Sequence, residues 1–270
     1  MVDLSGQEDG GRQALGHAVA GFVGKVAESQ TVTVYGFAGD PKPVLVGDFP
    51  RSRPPRPEDV EAAVRRFAAR DSSRDLGGAL VAGSKELDAR LMQNQKPFRI
   101  GTLVVYARGP DLAGRVDAAK VWDALDKSKH QMVAVGLGDG AYVKRWGRSG
   151  LFTAQSVDDL GPVFDEAAER VLALERSHYL VSYCSPSRSG RRTFRVEVTT
   201  TAGGGEEKQG HVQEEFDATG FGPGCNSGQP PRFAPAATPP SAGRLDQAPH
   251  AGDRSKGEIV PPPDTPDYGR

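Results

Sequence analysis

The sequence predicts a three-layer α/β/α sandwich: a mostly parallel sheet, helices on both faces, and one antiparallel hairpin at the edge. Three observations predict it. Over residues 1–177, runs rich in β-branched residues alternate with segments whose apolar residues recur at helical spacing. Two of the strand-like runs, residues 100–106 and 132–137, are almost continuously apolar, as in strands buried on both faces. Residues 31–37 and 43–49 are joined by a short turn containing Gly39-Asp40-Pro41-Lys42. So close a connection suits a hairpin and leaves no room for a crossover.

The chain opens on Met1-Val2-Asp3-Leu4-Ser5-Gly6-Gln7, which reads as the end of a buried strand breaking into a glycine-containing loop. A buried parallel strand needs about five residues, and only two precede Asp3. The first strand is therefore expected to be truncated, with any export signal upstream of it; the alternative is a stub strand. Residues 11–28 follow as a helix, with Leu15, Val19, Phe22, Val23 and Val26 on one face and Glu8 and Asp9 favouring its N-terminal dipole. The hairpin strands come next. Residues 50–57, with four prolines and three arginines, form a loop. Pro57 then opens a helix ahead of Glu58 and Asp59, with Val60, Val64 and Phe67 inward and an end expected near Asp71.

A polar link, Asp71-Ser72-Ser73-Arg74-Asp75, leads to a helix that buries Leu76, Leu80, Leu87 and Leu91. After the strand at 100–106, residues 116–130 read as a helix with Trp122 and Leu125 inward. The strand at 132–137 and a short one at 151–154 precede a long helix carrying Leu160, Phe164, Ala167, Val171 and Leu174. From residue 178 the pattern changes. Residues 179–184 and 193–198 alternate like paired strands and 211–216 reads as a weaker third, a β extension over 178–226. Residues 227–270, dominated by Pro, Gly, Ala, Ser and charge, lack the apolar surface to offset their ordering entropy and are expected to be disordered.

Composition excludes some functions. The net charge of −1 and pI near 6.5 provide no basic field for nucleic acid, and no run of about 18 apolar residues spans a membrane. The five histidines are scattered and the two cysteines lack a C-x-x-C spacing, so no zinc constellation is supported. Thr201-Ala202-Gly203-Gly204-Gly205 lacks a following helix and a Lys-Ser/Thr pair, and reads as a hairpin loop. Trp122 and Trp146 read as packing residues. The basic stretches at 144–148 and 187–192 read as solvated turns. Ser5 beside Asp3, with His17 nearby in sequence, invites a hydrolase reading, but no Gly-x-Ser-x-Gly elbow is present.

What remains is a strand ending in Asp3-x-Ser5, at the edge where open α/β sheets bind ligands. This order of elements, with Asp3-Leu4-Ser5-Gly6, resembles the von Willebrand factor type A domain family over residues 1 to about 177. The run at 179–186 looks like the β extension that follows such domains in bacterial secreted or envelope-anchored proteins. The resemblance implies a Rossmann-like sheet and a metal-ion-dependent adhesion site. That site is built from an Asp-x-Ser-x-Ser loop, a threonine and a later aspartate around a hard divalent cation such as Mg²⁺, which favours oxygen ligands.

The match is partial. Asp3 and Ser5 fit, so a metal, if bound, would rest on them. Gln7 stands at the second serine and Arg74 at the threonine, with Ser73 one position away. Arg108 stands at the aspartate, with Asp111 three residues on. Replacing an anion by a cation beside a dication reverses an interaction of roughly 4 kcal/mol per charge pair at close range. The expectation is a degenerate, metal-free site with a direct Asp3–Arg108 pair, on a non-enzymatic domain for protein interaction or adhesion. The alternative is Mg²⁺-dependent binding with Ser73 and Asp111 as substitute ligands. The resemblance further implies a periplasmic or extracellular place in the cell envelope and an unidentified protein partner. A disulfide between Cys184 and Cys225 is expected to tie the β extension shut, worth roughly 3–4 kcal/mol for a loop of about 40 residues.

Overall fold

A computed structural model describes residues 1–6, 9–93, 99–179, 181, 183–201 and 207–222. The elements run β1 (Val2–Asp3), α1 (Asp9–Ala27), β2 (Val32–Phe37), β3 (Val44–Phe49), α2 (Pro57–Arg65), α3 (Leu76–Gln93), β4 (Thr102–Ala107), α4 (Ala118–Lys127), β5 (Gln131–Leu137), β6 (Gly150–Ala154), α5 (Leu160–Arg176), β7 (Arg191–Thr201) and β8 (Glu207–Asp217). The first six strands form one sheet in the order β3-β2-β1-β4-β5-β6, while β7 and β8 form a separate antiparallel pair. Within the large sheet only β3 is antiparallel, paired with β2 from Val32↔Phe49 to Gly36↔Val44. The predicted fold class and edge hairpin are both present.

Alternation along the central strands separates the two cores. Val133 and Val135 face the layer of α1, α2 and α5, while Met132 and Ala134 face α3 and α4. Tyr106 joins the first cluster; Leu103 and Val105 join the second. Burial on both faces is why these strands read as unbroken apolar runs. The sheet order reverses direction at β1, with β2 on one side and β4 on the other. The carboxyl ends of the strands at this reversal are where open α/β sheets bind ligands.

Three expectations need correction. Helix α2 ends at Arg65, well before Asp71, and Arg66 caps it by donating its N–H to the Ala62 carbonyl; Phe67 is nevertheless buried, beyond the helix. Trp122 does not point inward. Val121 and Leu125 make the buried stripe of α4, and one residue further round a 3.6-residue turn faces outward. Trp122 is 46% exposed and rests against the buried Trp146, with the Arg145 guanidinium over both rings.

The third correction concerns the β extension. Among the described residues, 179–184 contribute no strand. Instead β7 and β8 pair with each other over eleven positions, Arg191↔Asp217 to Thr201↔Glu207. The alternation of Tyr179, Val181 and Tyr183 resembled a strand, but all three are exposed and none lies in a strand among the described residues. Tyr183 stacks its ring on Phe194 of the hairpin. Cys184 is not a free thiol; its expected partner Cys225, the Gly203–Gly205 loop and the tail beyond 222 lie outside the described residues. No helix among the described residues is long and apolar enough to cross a membrane.

Candidate functional site

The carboxyl ends of β1 and β4 hold most of the residues singled out from the sequence. Asp3 ends β1, wholly buried. The chain turns immediately after it. Gly6 takes a left-handed φ of 47°, and the turn folds Ser5 back so that its N–H and hydroxyl both donate to Asp3 Oδ1, at 3.0 and 2.6 Å. This half of the site is local, formed between residues two apart.

The other half comes from two distant loops. Arg74 donates Nε to Asp3 Oδ2 at 2.5 Å, and the backbone N–H of Arg108 donates to the same oxygen at 2.9 Å. Asp3 thus accepts four hydrogen bonds, and a carboxylate offers about four lone-pair directions. The expected Asp3–Arg108 side-chain pair is not what forms. The Arg108 guanidinium reaches past the carboxylate, and its Nη1 donates to the Ser5 carbonyl at 2.9 Å. The buried cation is Arg74, and the reason is geometric. Arg108 follows β4 directly, so its backbone N–H meets Asp3 and its side chain extends beyond to Ser5; Arg74 enters from the loop before α3 and brings its Nε to the carboxylate.

The surroundings hold Arg74 there. Its Nη1 donates to the Pro110 carbonyl, and its own carbonyl accepts the N–H groups of Leu112 and Ala113. Gly109 leaves the space required: a Cβ there would lie 2.7 Å from Arg74 Nη1. Asp111 does not turn toward Asp3. Its Oδ2 accepts the Gly77 N–H in the first turn of α3, and its Oδ1 accepts those of Ala113 and Gly114. Ser73 stands beside Gly39, with its N–H bound to Asp71 Oδ1. Among the described residues no hydrogen bond joins Ser73 or Asp111 to Asp3. Gln7 lies outside them.

Several contributors carried no sequence signal. Arg115 donates to the Gly39 carbonyl at 2.7 Å and to Asp71 at 2.9 Å, tying the loops after β2, before α3 and after β4 together. The N–H of Ser73 is the main influence holding the Asp71 carboxyl below its usual range, with Arg115 adding to it. Asp75, buried just ahead of α3, accepts the Gly78 N–H. Burial pushes its carboxyl up, helped by the nearby charges of Asp111 and Asp71 and opposed by Gly78 and Arg115. Tyr142 links the ends of β4 and β5: its hydroxyl lies 3.0 Å from the Ala107 carbonyl and accepts the Leu137 N–H. His17 lies on α1 with Nδ1 3.1 Å from Glu61, while the Ser5 proton points to Asp3. No group of three or more His, Cys, Asp or Glu side chains gathers as a metal cage among the described residues.

No protein-family model and no curated protein sequence matches the chain. Among solved structures it is similar to a von Willebrand factor type A protein from Catenulispora acidiphila. That similarity has a TM-score of 0.46 and 17% identity, over 62% of this chain and 40% of that one. It is also similar to proximal thread matrix protein 1 from the mussel byssus, with a TM-score of 0.49 and 14% identity over 75% and 48% of the two chains. The chain spans less than half the length of either. The mostly parallel six-stranded sheet between helix layers is the three-layer, Rossmann-like architecture that the sequence predicts, with β7 and β8 as a separate antiparallel pair.

Proposed function

We propose that this chain is a non-enzymatic protein-interaction module. In this reading it presents the edge formed by the loops after β1 and β4 and before α3 to a protein partner, without a bound metal ion. The observation that carries the reading is the hydrogen-bonding of Asp3. Its four acceptor directions meet Ser5, Arg74 and Arg108, and the guanidinium of Arg74 stands where a cation would pair with the carboxylate. A divalent ion entering there would have to displace a buried arginine and meet its permanent charge at short range. Asp111, the substitute ligand of the Mg²⁺-dependent alternative, has both carboxylate oxygens on backbone N–H groups. The use of Ser5 against Asp3 and His17 against Glu61 favours binding over hydrolysis.

We place the protein in the cell envelope or outside the cell and pair Cys184 with Cys225. The absence of a free thiol among the described residues fits an oxidising compartment. The test is calorimetric titration with Mg²⁺ and Mn²⁺. No saturable heat is expected from either ion. Saturable binding that disappears in Asp3→Ala would establish the metal-dependent alternative instead. An active-site serine probe is expected to leave the protein unlabelled; labelling lost in Ser5→Ala would return it to the enzymes.

A further inference from the structure

The β7–β8 ribbon sorts its side chains by face. Alternation sets Phe194, Val196 and Val198 of β7 on one side, together with Val212 and Phe216 of β8. The other side is polar throughout, from Arg191 and Asp217 to Thr201 and Glu207. Two further rings widen the apolar side, Tyr183 stacked on Phe194 and Phe221 stacked on Phe216. A two-stranded ribbon with such a face is marginal in water until the face is packed against something. Among the described residues β7 and β8 pair only with each other, and Val198 and Val212 remain 57% and 60% exposed.

The few polar residues on the apolar side decide what fits it. Its cross-strand rows run Arg192↔Phe216, Phe194↔Glu214, Val196↔Val212, Val198↔Gly210 and Thr200↔Lys208. Turned end for end about the middle row, this face is complementary to itself. The Phe194 row then lies over the Val198 row of the second copy, with β7 above β7 and β8 above β8. Glu214 comes to lie over Gly210, where a Cβ would meet nothing within 4 Å. Its carboxylate therefore has room to reach Lys208 in the next row. Lys208 in turn lies over the stacked rings of Phe216 and Phe221, whose faces attract an ammonium group. Among the described residues the ribbon's own ion pair, Arg195–Glu197, is on the polar side, and neither Glu214 nor Lys208 is paired within the chain.

We propose that this face is a homodimer interface, taking the same face of a second copy of the chain with the ribbons end-reversed about a two-fold axis through the Val196–Val212 row. Sheets stacked in this way lie about 10 Å apart. The two-fold axis makes each contact twice, Glu214 with the partner's Lys208 and Lys208 with the partner's Glu214. The chain enters and leaves the ribbon at its Arg191–Asp217 end, so the reversal sends the two α/β domains to opposite ends and keeps them from competing for space. Five rows make a face about 27 Å long and two strands wide. That is small for an interface, so the dimer is reversible and grows with concentration.

The test is sedimentation velocity of the full chain from micromolar to near-millimolar concentration, where a monomer–dimer equilibrium is expected. Val212→Glu sets like charges against each other at the axis and should leave a monomer. Gln213→Glu, one position along on the polar side, should dimerise as the parent does. Glu214→Lys or Lys208→Glu alone should raise the dissociation constant roughly tenfold or more. The two exchanged together should restore it, a recovery that simple loss of the ribbon's structure would not give. A chain that stays monomeric at the highest concentration overturns the proposal, and so does a dimer that Val212→Glu leaves intact. A double exchange that fails to recover the dimer lost in both single variants overturns the end-reversed pairing and the proposal with it.

Discussion

Arg74 carries most of what distinguishes this site. Its charge is enclosed with that of Asp3, the first 8% exposed and the second fully buried, and the Pro110 carbonyl holds the other arm of the guanidinium. A buried pair of this kind adds little net stability when intact, but breaking it leaves an uncompensated charge. Arg74→Ala is therefore expected to destabilise the protein by about 3–5 kcal/mol, read as a lower urea midpoint. The same variant opens one direction of the Asp3 carboxylate, so millimolar Mg²⁺ should recover part of the loss in Arg74→Ala and leave the parent protein unchanged. A midpoint in Arg74→Ala close to the parent's would mean that Asp3 finds another partner and that the pair is dispensable.

Among the elements, α3 shows how the site is mounted. Its first turn exposes N–H groups that need acceptors, and two carboxylates provide them: Asp75 through Gly78, and Asp111 through Gly77. Asp111 also binds Ala113 and Gly114, so one side chain joins the loop after β4 to the start of the helix that positions Arg74. Loss of a cap costs about 0.5–2 kcal/mol. Asp111→Ala should fall at or above the upper end of that range, because it orphans a second loop as well. Asp111→Asn, which keeps one acceptor oxygen, should lose less. Chemical denaturation of the two variants checks the order, and equal losses would assign the effect to charge. The contrast between α4 and β7–β8 belongs to the same scale: α4 fixes its orientation with Val121 and Leu125, while the hairpin is exposed along most of both strands.

For the whole molecule the burial of the Met1 amine has a consequence for pH. A Met1 amine held near 5 rather than 8.0 binds its proton less tightly in the folded protein than in the unfolded chain. Between these values the unfolded state carries more protons, so stability rises with pH across the window from about 5 to 8 and is lost as pH falls through it. The full difference corresponds to about 4 kcal/mol. With Met1 as the first residue, the denaturation midpoint should climb from pH 5 to pH 8. Converting the amine to an amide should flatten that climb, and a climb unchanged by the conversion would move its origin to another group.

The sequence by itself determined the layering, the parallel core strands and the edge hairpin, because hydrophobic periodicity records which faces of each element are buried. It also put Asp3 and Ser5 at one strand edge, being two residues apart; the hydrogen bonds between them came from the structure. The tertiary structure decided the rest. Arg74 and Arg108 were both legible as cations replacing expected ligands, yet which one pairs with Asp3 depends on the path of two loops 71 and 105 residues away. No periodicity encodes that path. Trp122 went outward because its neighbours took the buried stripe, and the described residues of 179–184 form no strand while β7 and β8 pair with each other. Local chemistry chooses the elements; partners far along the chain choose which side chains meet.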